Sequence, residues 1–535
     1  MPKSIELSNA LNRAWKSTTK VLFGEELGEM REYKEWLLAH VTPPRKEVSA
    51  LSGKDVFLGV KAYCSGAKFA GFSEIDFNRK IEPLPLSINE IKDMDSIVSA
   101  LEERSYYTGN VVLGNSNFVE DSANVIDSSY IYGSTEIIDG KYLAYVSISP
   151  QGEYSFGGNG VGTSRYCIHV YETFDCSRCF ELWNSRSCSD SYYVFNCDGC
   201  SEMFFCFNEY GKKYEVGNVP LPKDKYLGLK AKLLGEIGGE LHSRKKVKSI
   251  IDVVRGAKFY DAGHAKLRES LRGRNWGKKE ENMQKMEDEF SKTTSLLLGK
   301  PLYGLDNYRK WMEKHTWLSA DSESSLTKRK IVVADYCNLA QIPPNRLILK
   351  EEWEAIRGEV SLTQVEAESI TLANVEGIIG KIAYMPFDYS VNNRNIPGCS
   401  TAIHSSNSYR VVPLIYSKNC AVSSWARYSE NIFGSSAMLE SSFCLNSYYS
   451  KKLNRSFETD SSKYCTGLYF CHNCENVHDS FFTFNAKNIK NAVGNVQLPS
   501  QEYKSVRGAL LEQVHSELES KKELKWDIYN IGCGK

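Results

Sequence analysis

Cys176, Cys179, Cys197 and Cys200 read C-x2-C-x17-C-x2-C, within the spacing range of four-thiolate zinc sites. Zinc takes four soft donors in a tetrahedron, and two such pairs supply them. Cys465, Cys471, Cys474 and His478 offer a second set, three thiolates and an imidazole. Three readings stay open: zinc as the one candidate cofactor, plain buried thiols, and disulfides formed after release from the cell. Redox work at the pairs is not expected. Redox C-x2-C pairs open helices, where the dipole lowers the thiol pKa, and no helical pattern follows either pair here.

The rest of the chain offers little for catalysis. It has no P-loop, G-x-S-x-G, H-E-x-x-H or kinase signature. "GGNGVG" at 157–162 is not framed by a strand and a helix, so a tight loop is expected there instead of a phosphate cradle. The nine histidines, His169, His404 and His472 among them, form no recognisable dyad with a nucleophile. Asp121, Asp127 and Asp139 recur at one repeat position and suit corner hydrogen bonding. No catalytic residue is assigned, and no enzyme is expected.

The elements that carry the cysteines are repetitive. "FDCSRCFELW" and "FNCDGCSEMF" sit 21 residues apart. Upstream, "SNFVED SANVID SSYIYG STEIID" spans 116–139 in sixes, and "GKYLAY" continues it. Ser116, Ser122, Ser128 and Ser134 stand first in each unit; Val119, Val125, Ile131 and Ile137 stand fourth. Every sixth residue of a strand faces the same way. A β-solenoid is therefore predicted, with the aliphatics inward, the serines at the corners and a three-walled 21-residue coil. A second run starts at Ser429, with Ile432, Met438 and Cys444 inward.

The chain is also written twice. Gly24/Gly299, Tyr33/Tyr308 and Trp36/Trp311 are 275 apart, Cys64/Cys337 are 273 apart, and "VGNVPLP" from Val216 and "VGNVQLP" from Val493 are 277 apart. The two runs of sixes, however, lie 313 apart. The predicted class is mainly β with flanking helices, in two tandem duplicated modules, each a helix plus a β-solenoid. Module 1 is placed at 1–240, with a helix around Tyr33, Trp36, Leu37 and Val41, a solenoid at about 105–215 and a closing helix near Tyr226 to Leu241. Module 2 is placed at 291–535, with its solenoid at about 370–490 and a closing helix near Tyr503 to Lys522.

A charged helical linker is placed at 241–290 between them. Its 241–279 stretch holds twelve Lys/Arg against three Asp/Glu, and "EENMQKMEDEF" follows. The plainer account is a solvated connector whose two blocks attract each other. The sharper one is a docking surface for an acidic partner or nucleic acid. Over the whole chain 66 basic residues meet 66 acidic ones, which argues against a protein that coats nucleic acid. The start of the sequence has no apolar signal core, and no stretch is long enough to span a bilayer. Synthesis in the cytoplasm is expected, with the sixteen cysteines beginning as thiols.

The Asn-Cys-x-x-Cys beats interleaved with Ser-Tyr-Tyr, as in "SCSDSYYVFNCDGC", cover about 165–210 and, more weakly, 440–486. They resemble Cys-rich repeat proteins of large bacteriophages and small-genome bacteria. That resemblance implies a solenoid with a structural task, as in a virion head or tail. The expected function is a structural or assembly protein whose partners are other structural proteins or copies of itself. The alternatives are a carbohydrate-binding or carbohydrate-cleaving β-helix, as in tailspikes, and a zinc-stabilised cytosolic scaffold.

Overall fold

The computed structural model describes residues 3–60, 62–77, 93–101, 105–258, 260–277, 281–317, 319–334 and 339–533. Cys337 and two lysines of the basic stretch, Lys278 and Lys279, lie outside them. Strand outweighs helix, 36% to 31%, and two large parallel sheets hold most of the strand. No helix is long and apolar enough to cross a membrane.

One number organises both sheets. Asn117 pairs with Ser129, Ser129 with Lys141, Lys141 with Glu153, Glu153 with Arg165 and Arg165 with Ser177, always in parallel and always twelve residues on. In the second sheet Tyr389 pairs with Thr401, Tyr409 with Ala421, Lys451 with Lys463 and His478 with Lys490, again twelve on. The predicted 21-residue, three-walled stacking is replaced by this shorter period.

The backbone explains the period. From Phe118 to Gly217 a residue with positive φ recurs at every third position, without a break. The second sheet repeats this from Asn392 to Gly494, with Thr401 and Pro413 the two departures. Each such residue turns the chain, and four turns bring it back beside itself. The sixes are two of these three-residue legs. Cys167, Cys176, Cys188, Cys197 and Cys206, spaced 9, 12, 9 and 9, and the 21-residue cysteine repeat keep to multiples of three for the same reason. The displaced sixes also fall into place: 313 exceeds 277 by 36, three whole periods, so both runs keep the same phase.

Inside and outside follow from the same rule. Val125, Ile131, Ile137 and Leu143 are fully buried in one core, as predicted for the fourth position, and Met438 and Cys444 are buried in its counterpart. The serines are not corners. The turns are the third and sixth positions, Phe118, Asp121, Asn124 and Asp127. Ser122, Ser128 and Ser134 point inward and are buried. Each donates its hydroxyl to the carbonyl two residues back and accepts the backbone N–H twelve residues on. For Ser122 these are Glu120 O at 2.7 Å and Ser134 N at 3.0 Å; for Ser134 they are Tyr132 O at 2.9 Å and Val146 N at 3.1 Å. A hydroxyl is small enough to face inward while accepting a backbone N–H that turning leaves unpaired. Cysteine fills the same place: Cys200 donates to Asp198 O and accepts from Lys212 N.

"GGNGVG" is not a loop but part of the Glu153–Gly162 strand. Gly157 has φ +63, and a β-carbon there would meet the Leu37 carbonyl at 2.7 Å, so the short Lys34–Leu37 helix can close on the sheet. The long Lys3–Phe23 helix lies on the first sheet, with Trp15 edge-on to Phe156 and Tyr192 Oη donating to Leu22 O. Met283–Leu298 takes the equivalent place on the second, where Tyr469 Oη donates to Leu297 O. The acidic "EENMQKMEDEF" is thus largely the start of that helix, with Met286 and Phe290 buried. The closing helices are Lys223–Arg244 and Ser500–Lys521. The second sheet begins at Tyr389, later than the predicted 370, because 339–381 forms short helices.

The intervening segments cross over. Val56, Phe69, Ile97 and Tyr107 precede the first sheet, yet share a core with Leu445, Phe457 and Ile528 of the second half. Leu347, Trp353 and Ile370 precede the second sheet, yet share a core with Phe195, Phe204 and Leu233 of the first. A disulfide between Cys64 and Cys533, with Cα atoms 6.4 Å apart, joins the first crossing segment to the C-terminal end.

The inward ladder predicts a specific substitution pattern. Ser134→Ala strands the buried Val146 N–H and is expected to cost about 1–3 kcal/mol. Ser134→Cys, which keeps a donor and an acceptor, is expected to cost clearly less. Urea denaturation of the two variants measures the difference.

Candidate functional site

The cysteines of the proposed metal sets lie in the interior rows. Cys176, Cys188 and Cys200 follow one another at twelve-residue steps in one row, Cys179 sits in a second row beside Cys167, and Cys197 in a third. Cys176 and Cys200 are two periods apart, about 10 Å at the usual strand spacing. Two thiolates on one zinc lie within about 4.6 Å of each other. The four therefore do not converge on one ion. In the second set Cys465, Cys471 and Cys474 are buried, whereas His478 is exposed and faces Asn476 Oδ1 at 3.1 Å. Among the described residues no group of three or more His, Cys, Asp or Glu side chains could hold a metal ion. Burial pushes the Cys420, Cys444 and Cys465 thiols up to about 12, so they stay protonated and unreactive near neutral pH.

Two histidine–carboxylate pairs that sequence reading missed lie between sheet and helices. His472 Nε2 accepts the Thr108 N–H at 2.9 Å, so its Nδ1 carries the proton and donates to Asp460 Oδ2 at 2.8 Å. Asp460 also receives the hydroxyls of Tyr63 and Tyr529, at 3.3 and 3.2 Å. In the first half His169 Nδ1 lies 2.7 Å from Glu181 Oε1, Trp36 stacks on the imidazole at 4.3 Å, and Ile250 N donates to Glu181 Oε2. Both pairs are closed off: all four side chains are at most 1% exposed. Each carboxylate is held by protein donors, which suits it to clamping elements together and leaves no position for a substrate. The missed signal was the interval, since each histidine stands twelve residues from its partner.

Aromatic ladders run along the turns, partly buried in the first half and more open in the second. Phe118, Tyr130, Tyr142, Tyr154 and Tyr166, each twelve residues from the last, stack with ring centroids 4.8 Å apart. In the second half His404, Tyr416 and Tyr428 stack at 5.0 and 5.2 Å, and both tyrosines are half exposed. These three rings line an open groove of about 460 Å³ with Lys418, Glu430 and Glu440. Lys418 and Glu430 pair at 2.8 Å, and Lys452 lies 3.4 Å from Glu440. Stacking covers most ring faces and turns the edges outward, beside alternating charges. Such a stripe can dock a polar, extended surface; it holds no activated nucleophile. No protein-family model, curated protein or solved structure matches the chain.

Burial makes one carboxylate a pH sensor of stability. Glu458 accepts from Asn446 Nδ2 and Ile528 N, and burial, reinforced by nearby Asp527, pushes its carboxyl up to about 8. The folded state thus favours the protonated form. Its stabilisation is complete below the unfolded pKa of about 4.3 and is lost as pH rises through about 8. The melting temperature is expected to fall over that window, and Glu458→Gln to flatten the fall. Burial pushes Glu136 and Glu209 up to about 7, in the same direction, so a residual slope is expected.

Proposed function

We propose that the chain is a non-enzymatic structural or assembly protein: two tandem modules, each a helix laid on a twelve-residue β-solenoid, presenting a rigid wall to partners or to other copies of itself. The observation that carries this reading is the unbroken interior. Every third residue from 119 to 206 is aliphatic, glycine, or a small hydroxyl- or sulfur-bearing residue packed into rows, and the nearby carboxyl groups of Glu181, Glu458 and Asp460 are buried. A wall built this way resists deformation, because each strand is hydrogen-bonded to the strands one period away on both sides.

The groove at His404, Tyr416 and Tyr428 favours a second reading, a carbohydrate-binding surface, since it joins aromatic rings to two carboxylates. The ring stacking weighs against it, because sugars dock on aromatic faces and these faces cover one another.

The two readings separate in one experiment on the full chain. Sedimentation and electron microscopy are expected to find regular assemblies or a stoichiometric protein complex, lost in the Tyr416→Asp/Tyr428→Asp variant while its circular dichroism is unchanged. A monomer that binds a polysaccharide panel and releases reducing sugar overturns the structural assignment.

A further inference from the structure

The basic stretch at 241–279 is only partly neutralised in the fold. Lys245 pairs with Glu32, Lys248 with Glu376, and Lys266 lies 3.9 Å from Glu359. Its last part is different. Arg268, Arg272 and Arg274 meet Arg329, from the turn between two antiparallel strands, around an open groove of about 570 Å³. Glu269 is the one carboxylate in its lining, and it lies 3.5 Å from Arg272. Among the described residues neither Arg268 nor Arg274 pairs with a carboxylate. Arg329 pairs with Glu351 through Nη2, while its buried Nη1 has no hydrogen-bond partner.

With only Glu269 and Glu351 beside four guanidiniums, the groove keeps a local excess of positive charge that a bound anion relieves. The chain as a whole is neutral, so this concentration is local. Trp276 lies in the same lining, with Arg329 4.8 Å and Arg274 5.4 Å from its rings. At the other end of the Asp261–Leu271 helix stands Tyr260, 54% exposed, and the exposed Lys266 and Arg268 lie between the two aromatics. Guanidinium forks match phosphate oxygens in pairs, and aromatic side chains spaced along a basic track take up unpaired bases. A stretch of acidic protein would use the arginines but leave the aromatics without a role.

We propose that this groove binds single-stranded nucleic acid, with Arg268, Arg272, Arg274 and Arg329 on the phosphates and Trp276 against a base. The site is local and sequence-independent, and it is separate from the stacked-ring stripe.

Fluorescence anisotropy of the full chain with a labelled thymidine oligonucleotide, titrated at several salt concentrations, tests it. Binding is expected to weaken with salt at a log–log slope of about −0.7 per phosphate contacted. Arg268→Gln/Arg274→Gln is expected to lower affinity at least tenfold and to reduce the slope by about 1.4, two contacts' worth. Trp276→Ala is expected to weaken oligonucleotide binding while leaving heparin binding unchanged. Both substituted arginines are exposed, so the variant's melting temperature should match the parent's; if it does not, Arg274→Gln alone serves. Absence of binding at low salt, or binding untouched by the arginine substitutions, overturns the proposal. Equal affinity for a polyglutamate peptide overturns it in favour of an acidic protein partner.

Discussion

A left-handed residue at every third position is the constraint on which the structure rests. For an L-amino acid with a side chain this conformation costs about 1–2 kcal/mol. Asn and Asp tolerate it best, and they recur at the turns, but Tyr, Phe, Glu and Arg stand there too. What holds those residues is their neighbours one period away. Tyr130 is stacked between Phe118 and Tyr142; Arg178 reaches Asp190 through two hydrogen bonds of 2.6 Å; Asn196 links Asn184 to Asn208. The turn places like positions in register, and the register supplies the contacts that hold the turn.

The same rule divides inside from outside. A three-residue leg has one inward position, one along the wall and one at the turn. Inward side chains must be small or aliphatic, and where a backbone group would be left unpaired they must also bond to it. Serine and cysteine meet both demands, which accounts for a cysteine content that at first suggests metal chemistry. The zinc-like C-x2-C spacing is two successive inward positions on adjacent legs. Donors placed for packing in separate rows do not form a tetrahedron.

The crossing segments turn two similar halves into one molecule. The segment before each sheet buries its apolar residues against the other half, so neither half completes its core alone. At one of these junctions the buried Asp460 gathers donors from His472 in the sheet, Tyr63 in the crossing segment and Tyr529 near the C-terminal end. A charge that deep is tolerable only while all three segments are in place, so the cluster ties the junction's geometry to complete folding.

Much of this was legible in the residues. The inward aliphatics at 125, 131 and 137, the paired segments 275 to 277 apart and the closing helices follow from periodicity and repetition, because these are local or internal to the chain. The predicted helix through Tyr33 and Val41 is only the short pieces Met30–Tyr33 and Lys34–Leu37, and the long Lys3–Phe23 helix was not foreseen. The twelve-residue interval was legible too, in Phe118 to Tyr166 and in both histidine–carboxylate pairs, but a six-residue beat and a 21-residue cysteine repeat are equally multiples of three. Choosing among those multiples takes the angle through which each turn sends the chain, and that angle is a property of the backbone in three dimensions. The sequence alone determined that the chain is mainly β, repeated and without a recognisable catalytic motif, since composition and spacing carry those properties directly. Tertiary structure alone decided that the cysteines of the two repeats stand in buried interior rows, that each half closes on the other's preceding segment, and that arginines 268, 272, 274 and 329 share one groove. The first depends on how each turn aims the chain, and the other two on residues far apart in sequence meeting, Arg329 and the crossing segments among them.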